Sequence, residues 1–147
     1  MKKLLIVLGI LFIFTGCSNS KKLDLNSTSA SITKDYLTNH EVGDINTISG
    51  RYNIKTDNIQ DSLIITSKKF DDATMVLILL PKNGKNNEVK SEIEKFIDSY
   101  NNQWVGMNYF PDQKELVQNA LYTTYGNYLI YIVSSNNDEI LKLVKSS

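Results

Sequence analysis

The stretch ALYTTYGNYLIYIVSS, residues 120–135, consists of two runs rich in aromatic and β-branched residues, with Gly126 and Asn127 between them. Runs of this composition favour β-strands, and a two-residue connection that contains glycine and asparagine is typical of a tight hairpin turn. The stretch therefore predicts a β-hairpin, and it indicates that the fold contains an antiparallel sheet.

A second hairpin is predicted earlier in the chain. The runs SLIITS (62–67) and ATMVLILLP (73–81) are β-rich, and the short charged segment KKFDD (68–72) joins them. The second run is apolar on both faces, so we expect it to be an inner strand that ends at Pro81.

Helical patterns surround the two hairpins. A stripe of apolar residues at 3.6-residue spacing predicts the principal helix, and its members are Val89, Ile93, Phe96, Ile97, Tyr100 and Trp104. The segment YFPDQKELVQNA (109–120), with Pro111 in its first turn, predicts another helix, and NNDEILKLVK (136–145) predicts a C-terminal one.

Two shorter helices are expected before the first hairpin. Ile32, Tyr36 and Leu37 follow helical spacing from about Ser31, and Asp44 can cap a short helix over residues 45–49 that ends at Gly50. We therefore predict a single α+β domain over residues 31–147, in which an antiparallel sheet built from two β-hairpins has helices packed mainly on one face.

The N-terminal segment has the order of a secretory signal. Lys2 and Lys3 precede a short apolar run over residues 4–14, and small residues lead to Cys17, the chain's one cysteine. A run of this length is shorter than the roughly 20 residues of a membrane-spanning helix. We therefore interpret residues 1–16 as a removable signal peptide.

The residues before Cys17 resemble the lipobox of bacterial lipoproteins, and they are Phe14, Thr15, Gly16 and Cys17. The resemblance implies a diacylglyceryl group on the Cys17 thiol and cleavage before this residue, although leucine is usual where Phe14 stands. Residues 17–30 would then be the lipidated cysteine and a flexible tether, and the protein would be anchored to the outer face of the cell membrane. The alternatives are an ordinary signal peptide or an uncleaved N-terminal anchor.

The balance of charged residues limits the classes of partner that the protein can bind. The chain has 16 basic and 16 acidic residues, and removal of residues 1–16 takes away Lys2 and Lys3, which leaves the acidic residues in slight excess. Nucleic-acid binding needs a basic excess, so we do not expect it. The expected partners are the membrane, through the anchor, and an unidentified envelope protein or polymer.

The segments YNI (52–54) and YFPDQKELVQNALYTTYGNYLIYIVS (109–134) resemble domain of unknown function 4358, a family of lipoproteins from low-GC Gram-positive bacteria. The positions that match its pattern are Tyr109, Pro111, Asn119, Gly126, Asn127 and Tyr128. Thr74 stands where the family pattern leads us to expect an acidic residue. The resemblance implies location and fold, and it carries no activity.

The residues that could carry catalysis are few. His40 is the one histidine, so a metal site with several histidines is excluded, and we interpret His40 as a solvated residue. Asp71 and Asp72 could bind a cation, but a turn with charged tips is the better interpretation. Gly84 lies in an isolated turn outside any phosphate-binding motif. We expect no catalytic residues, no cofactor and no metal.

Aromatic residues are the remaining indication of a binding surface. They are Trp104, Tyr109 and Phe110 between the central helices, and Tyr122, Tyr125, Tyr128 and Tyr131 in the last hairpin. Because side chains alternate along a strand, Tyr128 and Tyr131 should lie on opposite faces, so that at most one of them faces the helices. Two functions follow: a non-catalytic binding domain, or a small cell-wall hydrolase that uses a pair of acids.

Overall fold

The computed structural model describes residues 22–106 and 109–147, within which the chain forms five helices and five strands. In chain order they are α1 (Leu25–Asp35), β1 (His40–Gly43), α2 (Asn46–Tyr52), β2 (Ile59–Ser67), β3 (Met75–Pro81), α3 (Asn86–Val105), α4 (Pro111–Gln118), β4 (Leu121–Tyr125), β5 (Tyr128–Val133) and α5 (Asn137–Ser146).

The strands form one antiparallel sheet in the order β1-β2-β3-β5-β4. Both predicted hairpins are present, and they join through the pairing of β3 with β5, where Leu77 lies opposite Tyr131. The predicted α+β class is therefore confirmed. Strand β1 extends the sheet beyond the two hairpins, and it was not predicted.

Helices cover both faces of the sheet. Helices α2, α3 and α4 pack on one face, where Phe96 and Trp104 are buried against the β3 residue Leu77. Helices α1 and α5 pack on the other, where Ile32 and Ile140 are buried. We expected the helices mainly on one face of the sheet, and they are instead distributed over both faces. The apolar composition of β3 and β5 on both faces explains it, because each face must be removed from water.

Helix α1 begins at Leu25, inside the segment that we assigned to the tether, so the prediction that the domain starts near residue 31 is wrong. The Asp24 carboxylate caps the helix by accepting hydrogen bonds from the backbone N–H groups of Asn26 and Ser27, at 3.1 Å each. Leu23 is buried, and its backbone N–H donates to the Tyr128 hydroxyl at 3.1 Å. The folded domain therefore reaches at least to Leu23.

Two turns depend on residues in the left-handed backbone region. Gly126 has φ +57° and forms the predicted β4–β5 turn, which glycine enters without a steric penalty. Asn53, with φ 52°, ends α2 after Tyr52, so this helix does not end at Gly50 as we predicted. The extension places Arg51 and Tyr52 on the helix.

In the described part of the chain, no helix is both long and apolar enough to cross a membrane. The predicted signal peptide, the lipobox and Cys17 lie outside the described residues.

Candidate functional site

A cleft of about 260 Å³ opens at the end of the sheet where β2 ends and β3 begins. Helix α2 forms one wall, the last turns of α3 form the opposite wall, and the β2–β3 loop forms the rim. Four aromatic rings line it, and they are Tyr52, Phe70, Tyr100 and Trp104.

Phe70 stands at the rim with 87% of its surface exposed. Its ring makes an edge contact with Phe110, at 6.4 Å between centroids, and Phe110 in turn makes an edge contact with Trp104 at the same distance. An exposed ring at the mouth of a cleft is apolar surface that a bound ligand can remove from water. The ring of Phe70 is thus available to a ligand.

Trp104 lies deeper, and only 5% of its surface is exposed. Its indole Nε1–H is buried and makes no well-formed hydrogen bond among the described residues, although the Tyr100 hydroxyl lies close enough for this N–H to lower the pKa of that phenol. A buried donor without a partner costs roughly 1–3 kcal/mol. Because Trp104 lines the cleft but its Nε1 is buried, an acceptor oxygen of a ligand reaches this donor only if neighbouring side chains move.

Hydrogen bonds hold the floor and the walls in place. The Tyr100 hydroxyl donates to the carbonyl oxygen of Ala73 at 2.8 Å, and the Ala73 N–H donates to Gln113 Oε1 at 2.8 Å. The Tyr52 hydroxyl donates to Gln103 Oε1 at 3.0 Å, which joins α2 to α3 across the cleft. Burial raises the pKa of Tyr100 and of Tyr52 above the ordinary value, so both phenols are neutral donors near neutral pH.

Asp72 is the acidic residue of the lining, and its Oδ1 accepts a hydrogen bond from the Thr74 N–H at 2.9 Å. Burial alone would raise the pKa of Asp72, but hydrogen bonds from Thr74 and Ser67 and the nearby His40 ring offset this effect and leave the pKa below its usual value. Asp72 is therefore ionised at neutral pH. The family pattern led us to expect an acidic residue at position 74, and Thr74 instead donates a hydrogen bond to the Asp72 carboxylate.

His40 is placed differently from our expectation of a solvated residue. Its side chain is only 13% exposed, and its Nε2 lies 3.7 Å from Asp72 Oδ2. Neither ring nitrogen has a hydrogen-bond partner in the described part of the chain. The pairing of β1 with β2 explains the burial, because it places His40 opposite Ser67 beside the loop that carries Asp72.

Cations also flank the cleft. The Arg51 guanidinium lies 5.5 Å from the centroid of the Tyr52 ring, and Lys69 contributes an exposed ammonium group to the rim. Among the described residues, no group of three or more His, Cys, Asp or Glu side chains could hold a metal ion. Aromatic surface and charges of both signs suit the binding of a ligand.

The hairpin tyrosines do not provide an exposed surface. Tyr128 and Tyr131 lie on opposite faces as predicted, but both are buried, because helices cover both faces. Tyr122 and Tyr125 are half-buried. Tyr109, from the other predicted group, is 90% exposed.

Sequence reasoning missed Tyr52 and Phe70 as parts of the cleft. Phe70 is the one aromatic residue in the otherwise charged segment KKFDD (68–72). An aromatic residue among charged neighbours was the signal that would have indicated an exposed ring in this loop. Tyr52 was noted only within the segment YNI (52–54) of the family resemblance, and it was not assigned to the cleft because α2 was expected to end before it.

Comparison with protein families gives one match, and comparisons with curated proteins and with solved structures give no match. The matched region, residues 33–134, contains every strand of the sheet and helices α2, α3 and α4. Among the positions of the expected pattern, Pro111 begins α4, Asn119 follows its last residue and Gly126 forms the hairpin turn. The chain belongs to the family described as Domain of unknown function (DUF4358).

Proposed function

We propose that this protein is a lipoprotein, anchored through Cys17 to the outer face of the cell membrane, and that its domain binds an envelope protein or polymer in the aromatic cleft without catalysing a reaction. The order of charged, apolar and small residues before Cys17 supports the anchor. A diacylglyceryl group has two acyl chains, which is the number that stable anchoring requires.

The observation that carries the binding proposal is the exposure of Phe70 at the rim of a cleft whose walls are already hydrogen-bonded. Covering an exposed phenylalanine ring contributes about 1.5–3 kcal/mol. A rigid cleft loses little conformational entropy when a ligand enters. The site therefore requires no rearrangement before it can bind.

The lining also defines what the ligand must offer. An apolar group or ring must cover Phe70, and an acceptor oxygen must meet the exposed ammonium group of Lys69 at the rim. Peptide carbonyls and sugar hydroxyls both supply such an acceptor, so the envelope protein and the envelope polymer remain the two candidates to be captured.

The character of Asp72 favours binding over hydrolysis by an acid pair. It is the one carboxyl side chain among the residues that line the cleft, and its pKa is lowered. A glycosidase needs two carboxyl groups and a general acid whose pKa is raised. The cleft residues thus support the binding function.

Affinity capture from solubilised membranes tests this proposal, with the wild-type protein, Phe70→Ala and Val42→Ala as baits. Val42 is a matched control because it is an exposed apolar residue, 52% exposed, on the edge strand β1 and outside the cleft lining. We expect Phe70→Ala to weaken retention of the captured component at least about tenfold while Val42→Ala retains it. Equal retention by the two variants would contradict the proposal.

Trp104 provides an independent measurement, because it is the chain's one tryptophan and lines the cleft. Adding the purified captured component should change the intrinsic fluorescence of the wild-type protein in a saturable manner. Unchanged fluorescence together with retained capture would place binding elsewhere on the domain.

A further inference from the structure

The domain has two ends along the strand direction, and the first described residues, Lys22 and Leu23, lie at one of them. Leu23 is buried, and its N–H donates to the hydroxyl of Tyr128, the first residue of β5. Lys22 borders the same surface depression as Gly84 and Asn127, which belong to the β3–α3 and β4–β5 connections. We call this end, with its exposed residues Lys22, Lys82, Asn83, Gly84 and Asn127, the N-terminal pole.

The aromatic cleft lies at the opposite end. Strand β3 runs from Met75, which lines the cleft, to Pro81, which borders the depression at the N-terminal pole. At about 3.3 Å per residue the strand separates the two ends by about 20 Å. Helix α3 spans the same direction, from Asn86 at the N-terminal pole to Trp104 at the cleft.

The chain between Cys17 and Leu23 is short. Even fully extended it reaches at most about 20 Å. We propose that the N-terminal pole faces the lipid headgroups of the membrane and that the cleft opens away from them. This orientation rests on the proposed anchor at Cys17.

The reverse orientation conflicts with the length of the chain. If the cleft faced the membrane, Leu23 would lie about 20 Å above the contacting surface, plus the height of the loop residues around Phe70. The chain would need its full extension to bridge this distance, and stretching a chain to its limit removes its conformational freedom. The upright orientation requires no such extension.

The chemistry of the N-terminal pole suits headgroups. Its exposed residues are polar or lack a side chain, and the positive charges of Lys22 and Lys82 stand near the exposed carboxylates of Asp24 and Asp61, so this end is polar and carries charges of both signs. Lys85, nearby at the start of α3, forms an ion pair with Glu88 at 2.9 Å and is partly neutralised. Lysine side chains close to a membrane surface are attracted by anionic phospholipids. The exposed ring of Phe70, in contrast, remains at the far end for a ligand.

Single-cysteine labelling tests the orientation on the full-length lipidated protein. Cys17 is the chain's one cysteine, and in the proposed lipoprotein its sulfur carries the diacylglyceryl group in a thioether bond, so an introduced cysteine is the one free thiol. Asn83→Cys places a fluorophore at the N-terminal pole, and Lys68→Cys places one on the exposed β2–β3 loop beside the cleft. Each variant is reconstituted in phosphatidylglycerol–phosphatidylcholine vesicles whose headgroups carry a quencher.

We expect the label at residue 83 to lose most of its fluorescence and the label at residue 68 to lose little. Equal quenching, or stronger quenching at residue 68, overturns the orientation. Flotation of the vesicles separates this failure from failure of the anchor. Protein that does not float refutes both proposals, whereas protein that floats with equal quenching refutes the orientation alone.

A second variant tests the role of the short connection. A flexible Gly-Ser insert between residues 21 and 22 should keep the protein on the vesicles and remove most of the difference between the two labels, because a longer chain permits many orientations. An undiminished difference would refute the role of the short connection and would show that the attraction of the N-terminal pole to headgroups orients the domain.

Discussion

The hydroxyl group of Tyr100 donates a hydrogen bond of 2.8 Å to the carbonyl oxygen of Ala73 and so ties helix α3 to the start of the first inner strand. The tyrosine is 5% exposed. Its burial raises the pKa of the phenol, and burial has the same effect on Tyr131, whose hydroxyl donates to Asn101 Oδ1 at 2.9 Å. Both links require the protonated phenol.

These two tyrosines predict a loss of stability in alkali. A phenol whose pKa is higher in the folded state than the ordinary value of about 10 contributes its full stabilisation below that pH. The contribution falls above about pH 10 by up to about 1.4 kcal/mol per pH unit for each tyrosine. Urea unfolding at pH 8 and at pH 11 measures this change. Tyr100→Phe should reduce the alkaline loss while costing about 1 kcal/mol at pH 8. If Tyr100→Phe lost as much stability between pH 8 and pH 11 as the wild type, the assignment of this loss to the Tyr100 phenol would be contradicted.

Gly126→Val should destabilise the domain by roughly 1–3 kcal/mol, because a β-branched residue resists the left-handed backbone at φ +57°. No atom lies within 4 Å of the added Cβ, so strain and not collision causes the effect. Gly50→Ala is the matched control, since Gly50 lies within α2 and also has free space around it. That substitution should stabilise by about 0.5–1 kcal/mol. Thermal melts that rank the two variants in the opposite order would contradict the turn geometry.

Cys17→Ser should abolish lipidation, because a hydroxyl does not replace the thiol that receives the diacylglyceryl group. The variant should accumulate as an unprocessed precursor or be released to the medium. Metabolic labelling with a fatty acid, followed by membrane fractionation, measures both effects. Equal label in the wild type and the variant would refute the lipobox interpretation.

His40→Ala should leave ligand binding intact, since His40 is not among the residues that line the cleft. The wild-type protein should also show no hydrolase activity on envelope polymers, because the cleft lacks the second carboxyl group that an acid pair requires. Capture, enzymatic assay and a thermal melt of the same preparations measure these outcomes. A folded His40→Ala protein that has lost function would favour the enzyme over the binding domain.

Sequence reasoning succeeded where the determining interactions are local. The Gly126–Asn127 turn and the apolar stripe of α3 each depend on neighbours within a few residues, and both are present. The N-terminal half of helix α1 escaped prediction because its buried residues include Thr28 and Ser29, small polar residues that are typical of a loop. The Thr28 hydroxyl is satisfied within the helix by donating to the Asp24 carbonyl oxygen at 2.7 Å.

Features that depend on contacts between residues far apart in the chain could not be predicted from the sequence. Strand β1 has only four residues, and its pairing with β2, in which Val42 lies opposite Ile65, defines it. The cleft combines Tyr52, Phe70 and Trp104 from three separate elements, so no sequence window contains it. Prediction of the site required knowledge of which elements become neighbours.

The pairing of β3 with β5 at the centre of the sheet has a consequence for the order of folding. A chain that has been synthesised only as far as α4 has the first hairpin, but Val76 and Ile78 lack the β5 and α5 residues with which they are buried. A chain of this length is therefore not a stable intermediate, and an unpaired inner strand of this composition is a site for aggregation. Truncation before β4 should yield insoluble chains and not a smaller folded unit.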